Sequence, residues 1–399
     1  MEHSKAPSGR LVDPIRDRFW DWQLQSRDLL TTSGKIGQSG RTTTKAFPEP
    51  CDAESELERK IYAKLREGFL HFGRDNPGPI ALQTWLTNVY TGFQSIDLDL
   101  RTNRIAAGRH TGKGGQSCEI VLLDAETGAV EERLPLAEFD VSNVRFFEDD
   151  LIAQSNDRVR RIDLRSGASI ILGGGGIFPF LPFDIRAGRM LLSRAGSAGP
   201  VVQVIDLRSS AVLLELDARK QTHAADHHIR PIGALSPSEN LAALCRLPGE
   251  IEVHDLRSGR CKWLRGEFPC VTKIEFHPSE NRIGFTEFYE GWRFRLWHLE
   301  GGGEDTRFES LEYLFTNGEP RRARECFDFA FSPDGRALAL RDCGSIRVHD
   351  FESQAPIARY QQRHVAKSAG KGGFRLVWAP DGRLITRTDL GILTVYFPP

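Results

Sequence analysis

Runs of valine, isoleucine and leucine that close on an aspartate recur along most of this chain, and their spacing is what first suggests a structure. They read "EIVLLD" at Asp124, "RVRRID" at Asp163, "VVQVID" at Asp206, "EIEVHD" at Asp255, "RFRLWH" at His298 and "SIRVHD" at Asp350, then "GILTVYF" ending at Phe397. Successive ends lie 39, 43, 49, 43, 52 and 47 residues apart. Self-similarity at that period predicts a repeat of four short strands, the blade of a β-propeller.

Turn residues punctuate the same repeat. "GALSPSEN" (Gly233 to Asn240), "IEFHPSEN" (Ile274 to Asn281), "FAFSPDG" (Phe329 to Gly335) and "LVWAPDG" (Leu376 to Gly382) each precede an apolar run. Proline presets φ, and the residues after it tolerate left-handed conformations, so each copy predicts a hairpin between two strands. "DLRSG" stands at Asp163 and Asp255, and "DLRSS" at Asp206. Its aspartate can accept the turn's own amides, and Gly128, Gly167 and Gly259 can take positive φ, which predicts a turn between the third and fourth strands. The last copy stops after three strands. Ile80 to Tyr90, "IALQTWLTNVY", is apolar and rich in strand formers, and is expected to supply the missing fourth strand and close the ring.

Ahead of the repeats the pattern changes. Val12, Ile15, Phe19, Trp22 and Leu29 fall at helical spacing after Asp13 and Pro14, which predicts an amphipathic helix capped by Asp13. The polar stretch from Thr31 to Pro50 has no period and reads as a linker. Leu57, Ile61, Leu65 and Phe69 predict a second helix, with Ser55 and Glu58 as a capping box. Residues 1–50 are therefore expected to be a mobile arm with one helix, 51–79 a helical lead-in, and 80–399 a seven-bladed propeller closed by strand 80–90. The expected fold class is all-β with four-stranded antiparallel blades. Both helices can pack on the propeller's flank; alternatively Val12, Ile15, Phe19 and Trp22 dock in a partner's groove.

Over Tyr90 to Pro399 the chain resembles the WD40 family of β-propellers. Trp297 in "LWHL" stands where that family places the Trp of its Trp-Asp pair, and Asp124, Asp163, Asp206, Asp255 and Asp350 stand where it places the Asp. His298 replaces the Asp beside Trp297, and the family's Gly-His dipeptide is absent. The resemblance implies a rigid disc that binds proteins through its loops.

Composition narrows the partners. Lys and Arg number 53 against 54 Asp and Glu, so any nucleic-acid or membrane contact has to come from local patches. Seven scattered cysteines without a C-x-x-C pair read as reduced thiols in a cytoplasmic or nuclear protein. No apolar run suits a signal peptide or a membrane span. "HTGKGGQ" (His110 to Gln116) and "SAGKGG" (Ser368 to Gly373) lack the G-x-x-x-x-G-K-[ST] spacing of a phosphate loop. "HAADHH" (His223 to His228) has ligand types without a second cluster, and no G-x-S-x-G elbow occurs. No catalytic residue, cofactor or metal is expected.

Loop position instead gathers cations on one rim: Arg109, His110, Lys113, Arg194, Arg321, Arg322, Arg324, Arg363, Lys367 and Lys371. Arginine forks there would suit an acidic or phosphorylated protein segment, or RNA. The expected function is a non-enzymatic interaction scaffold. The alternatives are a ubiquitin-ligase substrate receptor, with an N-terminal helical adaptor ahead of the propeller, and a propeller carrying or regulating a hydrolase.

Overall fold

In the computed structural model strands dominate, and a single α-helix is present among the described residues. These are residues 7–76, 78–86, 95–110, 118–136, 141–155, 158–174, 184–196, 199–217, 221–222, 228–229, 232–268, 270–288, 292–308, 313–314, 320–321, 326, 328–342, 344–361, 375–388 and 390–399.

The chain opens with a sheet, not a helix. Strands β1 (Ser8–Asp13), β2 (Arg18–Gln25), β3 (Asp28–Lys35) and β4 (Arg41–Ala46) form an antiparallel meander. Asp13 caps no helix. Its Oδ1 accepts the Arg16 amide at 3.0 Å, Asp17 takes φ 52°, and the chain reverses, leaving Ile15 at the tip 92% exposed. Phe19 and Trp22 lie on β2, and the presumed linker supplies β3 and β4, joined by Thr31–Thr43 and Thr32–Thr42 hydroxyl bonds of 2.9 Å. Val12, Ile15, Phe19 and Trp22 fall at helical intervals along the chain but are divided between the two faces of the sheet and an exposed turn, and aromatic and β-branched content decides for strands.

Helix α1 (Pro50–Arg66) matches the second predicted helix, with Pro50 in its first turn. The capping box does not form, because Ser55 and Glu58 lie inside the helix and Glu49 precedes it. Ala53, Leu57, Ile61 and Leu65, with Phe69 beyond, bury against Leu11, Trp20, Leu24 and Leu29 of the sheet and against Ile392 near the C-terminus. Strand β5 (His71–Phe72) then pairs with β6 (Ile80–Trp85).

Sheets of simple meander order follow. The first holds β7 (Ile96–Asp99), β8 (Arg104–His110), β9 (Cys118–Asp124) and β10 (Val130–Leu136), and the second β11 (Val141–Phe147), β12 (Asp150–Ser155), β13 (Arg158–Asp163) and β14 (Ser169–Gly174). The third holds β15 (Asp184–Arg186), β16 (Arg189–Gly196), β17 (Gly199–Asp206) and β18 (Val212–Asp217). After a small hairpin, β19 (Gln221–Thr222) and β20 (His228–Ile229), comes the fourth: β21 (Ile232–Leu235), β22 (Leu241–Leu247), β23 (Glu250–Asp255) and β24 (Cys261–Arg265). The fifth has three strands, β25 (Val271–Phe276), β26 (Arg282–Phe288) and β27 (Trp292–His298). Past the pair β28 (Tyr313–Leu314) and β29 (Pro320–Arg321), the sixth has β30 (Asp328–Phe331), β31 (Ala337–Arg341), β32 (Ser345–Asp350) and β33 (Pro356–Gln361). The last has β34 (Arg375–Trp378), β35 (Leu384–Arg387) and β36 (Ile392–Tyr396).

Both predicted turns are present. Oδ1 of Asp124, Asp163, Asp206, Asp255 and Asp350 accepts the amide three residues on at 2.6 to 2.9 Å. The left-handed position falls on Gly128, Gly167 and Gly259, or on Ser210 and Gln354, at φ 61° to 71°. After the prolines, Glu239, Glu280, Gly335 and Gly382 take positive φ and donate back to Ser236, His277, Ser332 and Ala379 at 2.8 to 2.9 Å.

Ile80–Trp85 does pair with the last sheet: β6 lies antiparallel to β36, and β5 extends the order to β34-β35-β36-β6-β5. Residues 87–90 of the predicted closing strand lie outside the described residues. Several four-stranded antiparallel sheets are thus present, but no closed barrel or propeller is detected among the described residues, and the expectation of seven four-stranded blades holds only to that extent.

Candidate functional site

The first strands of most successive sheets are neighbours. β7 lies beside β11, β15 beside β21, β21 beside β25, β25 beside β30, β30 beside β34, and β34 beside β7. A recurring bond joins them. Asp97 accepts the Phe146 amide at 2.8 Å, Asp184 that of Leu235 at 2.9 Å, Glu275 that of Phe331 at 3.2 Å and Asp328 that of Leu376 at 2.7 Å. A carboxylate on one sheet thus satisfies an amide on the next, where sheet-to-sheet packing would otherwise leave it without an acceptor.

Cations interleave with these acids. Lys273 Nζ lies 2.7 Å from Asp328 and 3.3 Å from Glu275, and also donates to the Phe329 carbonyl. Arg145 donates to the carbonyls of Ile96 and Val144 at 3.3 and 2.9 Å. Arg186 stands 3.8 Å from Asp184 and feels the charges of Glu275 and Asp97, which belong to two other sheets. Burial raises the Asp97 carboxyl above its ordinary range, against the pull of Arg145. The cluster of Asp97, Arg145, Asp184, Arg186, Lys273, Glu275 and Asp328 is chemically a set of mutually compensated charges: it can hold sheets together or bind a polar ligand, and offers no activated nucleophile.

Of the predicted cationic rim, only Arg109 and Arg194 have described side chains. Arg109 is on β8, not in a loop, and its guanidinium pairs with Glu119, which removes it from the set of available cations. Arg194 is exposed on β16. His110 ends β8 and Arg321 ends β29, where only the main chain is described. Lys113, Arg322, Arg324, Arg363, Lys367 and Lys371 lie outside the described residues, as do both glycine-lysine loops apart from His110, and residues 223–227 of "HAADHH". Val12, Ile15, Phe19 and Trp22 form no docking helix, being divided between β1, its turn and β2.

Sequence spacing also passed over one cluster with ligand chemistry. Glu252 and His254 on β23 and Cys261 on β24 bring Oε, Nε2 and Sγ atoms within 4.8 Å of one another. The signal was alternation, Glu-x-His, followed by a cysteine across the Asp255 turn, and it is read only once the strand register is known.

The N-terminal sheet, α1 and β5 make one compact unit, held by the Val12–Leu70 bridge and by Asn76, which donates to the carbonyls of Arg10 and Phe72 at 2.9 and 2.8 Å. A family model for the WGR domain matches residues 11–75. That segment runs from β1 through α1 to just past β5, so the WGR match takes in both the strands that the helical pattern misassigned and the helix that it placed. No curated protein matches the chain. The resemblance to WD40 repeats is not upheld: the matching family is the WGR domain, and no closed propeller is detected. Trp297, the residue that suggested it, is a core side chain packed on Phe268 and Phe285.

The WGR unit is fixed to the last sheet. Trp85 Nε1 donates to the Leu390 carbonyl at 3.0 Å and Gln83 to Thr394 at 3.1 Å. A Cβ on Gly73 would come 2.5 Å from the Ile80 carbonyl oxygen and 2.6 Å from the Phe397 ring, so the backbone approach there requires glycine. Strand β4 is the unit's outer edge, exposed along its whole length from Arg41 to Ala46.

Proposed function

We propose that the chain is a non-enzymatic interaction scaffold. Its seven sheets stand in a ring about the charged cluster, and one rim receives a protein segment that is acidic or phosphorylated. The observation that carries this reading is the continuous strand order β36-β6-β5, which fixes the WGR unit to the sheet body, so that surfaces on the two hold a constant relation to each other. The ring itself is supported by the adjacency of β34 and β7 and by Arg186 sensing acids of two other sheets. Exposed Arg194 and the sequence-neighbouring cations of the rim loops supply the charge.

The test is partner capture by the full chain. Replacing Arg322, Arg324, Arg363 and Lys371 together with Ser should abolish capture of an acidic or phosphorylated protein without changing the melting temperature. Replacing Arg165, Arg208 and Arg257, which sit in the Asp turns of the opposite rim, should leave it intact. Equal loss from both sets, or capture of RNA alone, would overturn the reading.

A further inference from the structure

On the face of the fourth sheet that meets the third, alternation along β23 places Glu252 and His254 side by side. The register of β24 sets Cys261 directly across from His254. His254 Nε2 lies 2.9 Å from Glu252 Oε2 and 3.8 Å from Cys261 Sγ. Glu252 and His254 are buried, whereas Cys261 opens to solvent. We propose that Glu252, His254 and Cys261 form a binding site for a single thiophilic divalent cation of the zinc type, with a fourth position open on the solvent side.

Geometry and ligand chemistry both favour that ion. Tetrahedral zinc with ligands at about 2.0 to 2.3 Å separates its donor atoms by roughly 3.3 to 3.6 Å. The sulfur–nitrogen distance already lies near that span, and the nitrogen–oxygen distance needs only a small parting of two side chains. Thiolate, imidazole and carboxylate together select zinc or cobalt over magnesium and calcium, which prefer oxygen alone.

The surrounding residues prepare the ligands. Arg246 grips Glu252 with bonds of 2.7 Å to each oxygen and anchors itself on the Asp217 carbonyl of the neighbouring sheet at 2.6 Å, which fixes the carboxylate's direction. With Arg246 charged, the thiolate and Glu252 that would hold the ion bring one net negative charge against its two positive. Burial, and then the charge of Glu252, push the Cys261 thiol up, so without an ion it keeps its proton, which the ion displaces on binding. A Cys-His-Glu nucleophilic relay does not fit, because Cys261 and Glu252 both approach Nε2, and a relay needs the two ring nitrogens separately.

The test uses the full chain, stripped of metal and titrated with cobalt(II) chloride and then zinc sulfate. We expect one cobalt to give a thiolate-to-metal charge-transfer band and tetrahedral visible bands, which one zinc then displaces. Affinity should rise with pH. Cys261→Ser, a change at an exposed position, should remove the charge-transfer band and weaken zinc by about 100-fold or more, and His254→Gln should weaken it comparably. Cys51→Ser, at an exposed cysteine elsewhere, should change neither. Cobalt held by the histidine-rich segment 223–228 would give no thiolate band. Absence of the band in the native chain, or its persistence in Cys261→Ser, would overturn the proposal.

Discussion

At Asp255 the carboxylate accepts the amides of Arg257 and Ser258 at 2.9 Å each, and Asp163 and Asp206 repeat the arrangement. Those amides hold all three carboxyls below 3.8, an aspartate's ordinary value. The unfolded chain therefore binds these protons more readily, and the stability involved is complete above pH 3.8 and lost as pH falls through the lowered values. Melting temperature should drop below pH 3.8, and an Asp163→Asn, Asp255→Asn variant should drop less steeply; an unchanged slope would contradict the assignment. Asp97 has the opposite sign. Its carboxyl is raised by burial, so its stabilising share is present at low pH and lost as pH rises through the raised value. Asp97→Asn keeps the acceptor for Phe146, and its stability relative to the native chain should increase from pH 4 to pH 7. These turns were legible because Asp, Pro and Gly set backbone geometry locally. The cluster of Glu252, His254 and Cys261 was not, because its members become neighbours only through the register of two strands.

Among the elements, the N-terminal hairpin misled the sequence reading, since Val12, Ile15, Phe19 and Trp22 satisfy a helical period as well as two strands around a turn. Helix α1, in contrast, was legible from Leu57, Ile61, Leu65 and Phe69, because three consecutive steps of four residues run beyond the length of an ordinary strand. The junction between the WGR unit and the last sheet turns on Gly73, where any side chain meets the Ile80 carbonyl and Phe397. Gly73→Ala should cost about 1 to 3 kcal/mol in denaturant unfolding, as overpacking does. Gly301→Ala, which meets nothing within 4 Å, should stay within about 0.5 kcal/mol. Equal effects would mean that the junction is not tightly packed.

For the whole molecule, an arm and a folded WGR unit differ in what truncation does. Losing residues 1–50 would cost little if they were mobile. Instead it uncovers Leu57, Ile61 and Leu65, which bury against β1, β2 and β3, and should lower the melting temperature markedly. Deleting residues 80–86 should lower it as well, because β36 then loses its outer partner and β5 the strand it pairs with. The repeat period made the sheets legible, while the order β36-β6-β5, which pairs residues some 310 apart, rested on the single strand Ile80–Trp85 being correctly placed. The measurement that tests this account most directly is amide hydrogen exchange across Ile80–Trp85 in the intact chain. The account predicts protection of this segment matching that of β36, lost only when the last sheet unfolds. Exchange within seconds, with β36 still protected, would show that the WGR unit hangs free and would contradict the scaffold.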